Sequence, residues 1–573
     1  MSSLKPNNAL TEQPVSVSDP VADPVPERRS NAAVEPIQPW WRHAVVYEVY
    51  PRSFADGNGD GIGDLAGVRS RLEYLRELGV DALWFTPWYA SPWADGGYDV
   101  ADYRRINPEF GSVADAEVLI EEADALGIRT IVDIVPNHVS TQHRWFQEAL
   151  AAGPGSESRS RFWFHPGRGS SGEQIPTNWP SSFSGEAWTR TANSDGTPGE
   201  WYLHLFDAAQ PDLNWTHPDV QREFEDVLRF WFDRGVAGVR VDSAAFVIKD
   251  ERLPELDAVP DHPFHDRDEL HELYRGWRGI ADEYDGERIL VGEIWLADLD
   301  RFALYLRPDE MHSAFNFDFM TRPWDAGAFR DSIAETLAVH AQVNAPATWV
   351  LSNHDVIRPV TRYGRADSSF GFADSKRFGI ESDLELGTRR ARAAALITGA
   401  LPGVLYIYQG DELGLPEVED LPAELRRDPM FLRSGGVDPG REGCRVPLPW
   451  TRAEPNFGFS KNAVAPWLPQ PSDWGERSVE AQASDESSML ALYREMLRLR
   501  RELPTLRDAG LTWLPIAADG VLAFDRDGIQ CIANMTGRDL EMPLERADVL
   551  IASVPLAGDV LPADSAVWIR TTA

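Results

Sequence analysis

An eight-stranded (β/α)8 barrel of the α/β class, carrying a small domain inserted after its third strand and an antiparallel β domain at its C-terminus, is the architecture this sequence predicts. Three observations predict it. Short apolar, β-like runs alternate with helical patterns from Trp40 to about Arg507. The rhythm breaks between His138 and about Leu213, where Gly, Ser, Pro, Asn and aromatic residues dominate. After Arg507 the helical patterns stop and short β-like runs separated by turns replace them. Strand–helix units repeated over such a length suit a closed parallel barrel with insertions better than an open sheet. A structureless loop as long as the interruption is uncommon inside a compact domain, so that segment reads as a domain of its own.

The elements follow in order. Residues 1–39 are rich in Pro, Ala, Val, Ser and Glu and read as a disordered tail. They lack a basic stretch followed by an apolar one, so they are no signal peptide. The first part of the barrel spans 40–138. It holds strands at Val45–Val49, Ala82–Phe85 and Thr130–Val135. Between them, Leu spacing predicts a helix over Leu65–Leu78, and another covers Ala114–Leu126; Gly79 and Gly127 follow them as stops. The inserted domain covers 139–213. The barrel resumes over 214–507 with a helix at Val220–Phe232 and strands at Gly238–Val241, Ile289–Gly292, Trp349–Leu351 and Val404–Tyr408. Residues 508–573 form the β domain, with runs at Leu511–Leu514, Val521–Phe524, Cys531–Asn534 and Val567–Arg570.

Bulk composition narrows the function. A chain of 573 residues needs more than one core. Its net charge of −36 argues against nucleic acid or an anionic membrane as partner, since both need basic patches. No run of 18 apolar residues is present, so no membrane span is expected. Cys444 and Cys531 alone cannot build a disulfide framework, which favours a reducing, cytoplasmic setting. The 21 Trp suit a packed interior first and sugar stacking second. Oligomeric state is not legible in the sequence.

Three carboxylates stand where β-like runs end: Asp242 after Gly238–Val241, Glu293 after Ile289–Gly292, and Asp355 in Ser352-Asn353-His354-Asp355. In a βα barrel the carboxyl ends of the strands face the active site. Cleavage of a glycosidic bond needs one carboxylic acid to protonate the leaving oxygen. It needs a second carboxylate on the far face of the sugar; where that group is the nucleophile, the two lie about 5 Å apart. Arg240 precedes Asp242 by two residues, so on a strand both side chains share a face and the guanidinium favours the ionised acid. The protonating partner, Glu293, requires neighbours that keep its proton on.

These motifs carry a resemblance. The chain resembles glycoside hydrolase family thirteen, the α-amylase superfamily, in its α-glucosidase branch, from about Pro39 to Trp450. Asp133-Ile134-Val135-Pro136-Asn137-His138 resembles the third-strand motif. Gly238–Asp242 resembles the nucleophile motif, Gly292-Glu293-Ile294-Trp295 the acid/base motif and Ser352–Asp355 the transition-state motif. Gln210–Trp215 resembles the motif closing the inserted domain, and Gly410–Gly414 the eighth-strand region. The resemblance implies a retaining enzyme with Asp242 as nucleophile, Glu293 as acid/base and Asp355 gripping sugar hydroxyls. It implies that His138 and His354 bond hydroxyls, with Arg240 beside the nucleophile. Phe183 and Phe206 fall where pocket aromatics would lie. Asp99 and Arg445 resemble the pair that closes the pocket around a terminal glucose, which implies exo action.

The segment Asp56-Gly57-Asn58-Gly59-Asp60-Gly61-Ile62-Gly63-Asp64 sets side-chain oxygens at alternate positions. Its start fits an EF-hand loop, but the twelfth position is Gly67 instead of Glu and no helix pattern precedes it. It resembles the family's loop after strand one, which implies a structural Ca²⁺ or Mg²⁺ held by Asp56, Asn58, Asp60, Asp64 and the Ile62 carbonyl. Ser243, after the nucleophile, is neither the Val of α-1,6-preferring members nor the Ala or Thr of α-1,4-preferring ones. Its small size leans towards α-1,4 bonds and maltose-like substrates. The expected activity is release of terminal glucose from short oligosaccharides or disaccharides, with possible glucosyl transfer. The alternative is a trehalose- or sucrose-converting member of the same family.

Overall fold

The computed structural model describes residues 39–370, 379–508, 510–515, 518–541 and 549–571. The tail expected over residues 1–39 lies outside them apart from Pro39. Eight parallel strands form one sheet: β1 (Val45–Val49), β2 (Ala82–Phe85), β3 (Arg129–Ile134), β4 (Gly238–Val241), β5 (Ile289–Gly292), β6 (Ser313–Ala314), β7 (Thr348–Trp349) and β8 (Val404–Tyr408). They run in the order β6-β5-β4-β3-β2-β1-β8-β7, each pair parallel and helices between most of them. This is the expected (β/α)8 barrel. The residues of β1, β2, β4, β5 and β8 are buried throughout, which is why these strands read as continuous apolar runs instead of alternating ones.

Period-two alternation sorts the barrel interior into layers. Val46, Trp84, Ile131, Val291, Phe315 and Tyr406 fill an apolar layer. The residues two positions further along β1, β3 and β5 are Glu48, Asp133 and Glu293, so charge begins where the strands approach their carboxyl ends. The helix expected over Leu65–Leu78 is two, Leu65–Arg69 and Leu72–Leu78, broken at Ser70–Arg71. The helix Val113–Ala125 is started by a capping box between Ser112 and Asp115, worth about 1 kcal/mol.

Between β3 and β4, the strands Phe164–His165, Trp188–Ala192 and Pro198–Leu203 make a three-stranded sheet with its own apolar cluster around Trp163, Trp179, Trp188 and Leu205. Its return to the barrel is fastened by Lys249, whose Nζ sits 2.8 Å from Asp212 and 2.6 Å from Asn137 Oδ1, with Lys249 and Asp212 fully buried. Breaking such a pair from one side costs about 3–5 kcal/mol. At the C-terminus, β9 (Thr512–Trp513), β10 (Val521–Asp525), β11 (Ile529–Asn534), β12 (Val549–Ala552) and β13 (Ser565–Arg570) form an antiparallel sheet in the order β9-β10-β11-β13-β12. It leans on the helix Leu384–Ala400, where the Trp568 indole donates to the Leu396 carbonyl at 2.9 Å. No helix among the described residues is long and apolar enough to cross a membrane.

Candidate active site

The β4–β5 register builds the centre of the site. Val241 pairs with Gly292, so Asp242 and Glu293 are the next residues on neighbouring strands. Asp133 pairs with Arg240 across β3 and β4. Arg240 is 1% exposed, and its fork reaches all three acids. Nη1 lies 2.7 Å from Asp242 Oδ1 and 3.0 Å from both Asp133 oxygens, while Nη2 lies 2.7 Å from Glu293 Oε2. The faces of Trp84 and Tyr98 lie 5.2 and 5.5 Å from the guanidinium carbon. Glu293 also accepts from the Ser243 amide at 2.9 Å and the Trp295 indole at 3.0 Å. Ser243 makes its amide available by taking a left-handed backbone, φ 47°.

Burial pushes the Asp242 carboxyl well above its ordinary range; Arg240 opposes this and the neighbouring Glu293 adds to it. Arg240 favours the ionised Asp242, the direction expected from sequence, and burial works against it. The guanidinium is divided among Asp133, Asp242 and Glu293. Burial likewise lifts Asp133 to about 7 against Arg240. Asp355 behaves oppositely. Burial raises it, but the His354 ring and the guanidinium groups of Arg441 and Arg445 hold it well below the usual carboxylate range.

These groups open into a cavity of about 350 Å³, the size of a small-ligand site. Asp242, Glu293, Asp355, His138, Phe183 and Phe206 line it, as do Ser243, Phe246, Trp295 and Met430. His138 bonds Asn137, the Tyr98 carbonyl and Gln210, and burial followed by Lys249 lowers it to about 3, a neutral ring. Arg240 and His354 sit behind the lining. His354 is fully buried and stacks on Tyr98 with ring centres 5.3 Å apart.

The Asp99–Arg445 pair is corrected. Asp99 turns inward to accept from Ser91 Oγ and the amides of Ala94 and Asp95, at 2.8 to 3.1 Å, where it fastens its own loop. Arg445 binds Asp355 at 2.8 Å and the His354 carbonyl. The acid–arginine contact on the cavity wall is Asp95–Arg441, at 2.5 Å. Arg441 also lies 2.5 Å from Asp428 and 3.2 Å from Asp355. Asp95 stands four residues before Asp99 and Arg441 four before Arg445. Asp95 and Arg441 were not among the residues expected from sequence, and only the contact singles them out. From the same side, Arg433 donates to the Ser184 and Glu186 carbonyls, strapping the loop after β8 to the inserted domain.

In the loop after β1, amides meet the acids. Asp56 accepts from Gly59 and Gly61, Asp64 from Gly57, Asn58 and Gly67, Asn58 from Asp60, and Asp60 from Ile62. Positive φ at Gly59 and Gly61, 86° and 93°, produces these turns. Among the described residues, no cluster of three or more His, Cys, Asp and Glu is gathered for a metal. Yet the donor set is all oxygen, as a hard cation requires. Asn58 and the Ile62 carbonyl would add neutral oxygen donors to that set.

Residues 48–509 match the family described as alpha amylase, catalytic domain. The chain is 34% identical over 504 residues to an oligo-1,6-glucosidase of Parageobacillus thermoglucosidasius, covering 81% of this chain and 84% of that protein. It is 36% identical over 504 residues to a trehalose-6-phosphate hydrolase of Escherichia coli strain K12, covering 83% and 85%. A crystal structure of an alpha-glucosyl transfer enzyme superposes with a TM-score of 0.78 at 32% identity, covering 93% of this chain and 100% of that one.

Proposed function

Because this chain belongs to the alpha-amylase family of glycoside hydrolases, we propose that it acts as a retaining, exo-acting α-glucosidase on short α-glucosides, with maltose-like α-1,4 bonds preferred. The observation that carries the reading is the single Arg240 fork touching both Asp242 and Glu293 on adjacent strands. It supports the short carboxylate separation of about 5 Å that retention needs. Asp242 attacks the anomeric carbon while Glu293 gives its proton to the leaving oxygen. Glu293 then takes a proton from water as the water oxygen bonds to the anomeric carbon and the bond to Asp242 breaks, which frees Asp242. Asp355, kept anionic by its two arginines, faces the cationic transition state. The Asp95–Arg441 contact on the wall supports binding of a chain end over the middle of a chain. The small Ser243 leaves room on the aglycone side, the basis for the α-1,4 preference.

Glucosyl transfer is the second reading. The cavity wall of Phe183, Phe206, Phe246, Trp295 and Met430 is apolar and offers a sugar ring more than it offers water. Similarity to an alpha-glucosyl transfer enzyme supports it. Under this proposal a Ca²⁺ or Mg²⁺ held by Asp56, Asn58, Asp60, Asp64 and the Ile62 carbonyl would brace the loop and take no part in chemistry. Both cysteines are buried and unpaired, which supports a cytoplasmic setting.

Rates on maltose, isomaltose, sucrose and trehalose, with the anomer of freed glucose followed by NMR, test the proposal. The expected result is maltose fastest and α-glucose first. β-Glucose first would overturn retention, and isomaltose fastest would overturn the linkage. Trehalose or an isomerised disaccharide as the main product would move the enzyme to the converting branch.

A further inference from the structure

Glu48, on β1, is a buried carboxyl in the barrel that the mechanism above does not use. It is 2% exposed. Its Oε1 lies 2.5 Å from Nδ1 of His354 and accepts the His354 backbone amide at 3.3 Å. The other ring nitrogen, Nε2, is buried without a hydrogen-bond partner among the described residues, and lies 3.4 Å from Asp355 Oδ1. Tyr98 and Tyr50 flank the ring with interplanar angles of 7° and 27°, and Trp84 meets it edge-on, so it has little freedom to turn.

The proton count follows from the neighbours. Asp355 is an anion beside Arg441 and Arg445. A lone pair on Nε2 would face that anion and repel it, so Nε2 carries the hydrogen. Nδ1 must then either accept a proton from the Glu48 carboxyl or hold one that Glu48 accepts. In both cases Glu48 and His354 together keep one proton between them and are neutral as a pair.

We propose that Glu48 is a positioning residue: the proton it shares with Nδ1 of His354 fixes the imidazole as an Nε2–H donor, aimed at Asp355 and at the substrate hydroxyl bound there. The last element rests on the glucosidase reading; the tautomer does not. The charged groups facing the pair are Asp355, Arg240 on β4, Asp411 after β8, and Arg441 and Arg445 from the loop beyond, with the Tyr408 phenol on β8. Burial favours the neutral form of each partner, raising Glu48 and lowering His354. Loss of the shared proton at high pH leaves Glu48 anionic and accepting Nδ1–H. The Nε2 lone pair then faces Asp355.

Two variants separate this from a merely structural role. In Glu48→Gln the amide donates to Nδ1 and holds the same tautomer with nothing to titrate. Activity on p-nitrophenyl α-glucoside at the optimum is expected to stay within about threefold, with the alkaline limb of the kcat/KM profile moved up or lost. Glu48→Leu, checked for an intact fold by circular dichroism, is expected to lose at least about tenfold in kcat/KM. A Gln variant as impaired as the Leu variant, or one whose pH profile overlays the wild type, would overturn the proposal. The ¹⁵N shifts of His354 in histidine-labelled protein give a readout without catalysis. Nε2–H is expected in wild type and in Glu48→Gln, and an Nδ1–H tautomer refutes the inference. Wild type that hydrolyses no α-glucoside but shows the Nε2–H tautomer would refute the glucosidase reading alone.

Discussion

Replacing Arg240 by lysine isolates what the planar fork contributes. The guanidinium uses two nitrogens on opposite ends to hold Asp242 and Glu293, each at 2.7 Å, while Asp133 shares Nη1 at 3.0 Å. An ammonium keeps the charge but concentrates it at one point, so it cannot span both carboxylates. At least one charge-assisted hydrogen bond in a buried site is lost, a cost of about 1.5–3 kcal/mol. If that bond is spent on placing Asp242 against Glu293, the loss converts to a fall of roughly 10- to 150-fold in kcat/KM. The assay is steady-state hydrolysis of p-nitrophenyl α-glucoside, with Tm recorded in parallel so that misfolding is seen separately. Arg240→Lys within threefold of wild type, at unchanged Tm, would refute the idea that the fork sets the two carboxylates.

Asp242→Asn should lower kcat by at least about 10⁴-fold, since the nucleophile is gone, yet it should not destabilise the fold. Asp242 is raised in the folded state by burial, with Glu293 adding to that, so the folded protein binds a proton the unfolded chain releases. Stability is therefore lost as pH climbs above the unfolded value of about 4. The Tm advantage of the Asn variant should widen from there upward, and a Tm several degrees below wild type at neutral pH would contradict this. Chelation should lower Tm by a few degrees, by removing a ligand that binds only the folded loop at Asp56–Asp64, while the rate at room temperature stays the same. A melting curve identical with and without metal would count against the cation.

Much of this was legible because parallel strands buried on both faces spell themselves out as apolar runs. Val45–Val49, Ala82–Phe85, Gly238–Val241, Ile289–Gly292 and Val404–Tyr408 have the bounds expected from sequence. β6 was not legible: Ser313–Ala314 is two residues long, too short for any periodicity. β12 at Val549–Ala552 was also missed. It is four residues long and only partly buried. Within the site, the carboxylates after β4 and β5 followed from strand register, a local property. The Asp95–Arg441 contact joins residues 346 apart, and sequence spacing could not choose between Asp95 and Asp99 or between Arg441 and Arg445. The sharing of one guanidinium among three acids was equally invisible, because it depends on β3 lying beside β4.

The strap from Arg433 to the carbonyls of Ser184 and Glu186 has a kinetic meaning. It ties the loop after β8, which carries Arg441, to the inserted domain that supplies Phe183 and Phe206. With the Asp95–Arg441 end shut, the proposed exo action would send the two halves of a cleaved sugar out through one doorway, in order. Under the proposed mechanism the aglycone would go first, and the glucosyl group would stay on Asp242 until something enters the space just vacated. What fills that vestibule would decide whether the cycle ends in a free sugar or a new bond, and free glucose, the last to leave, would act as the enzyme's own inhibitor.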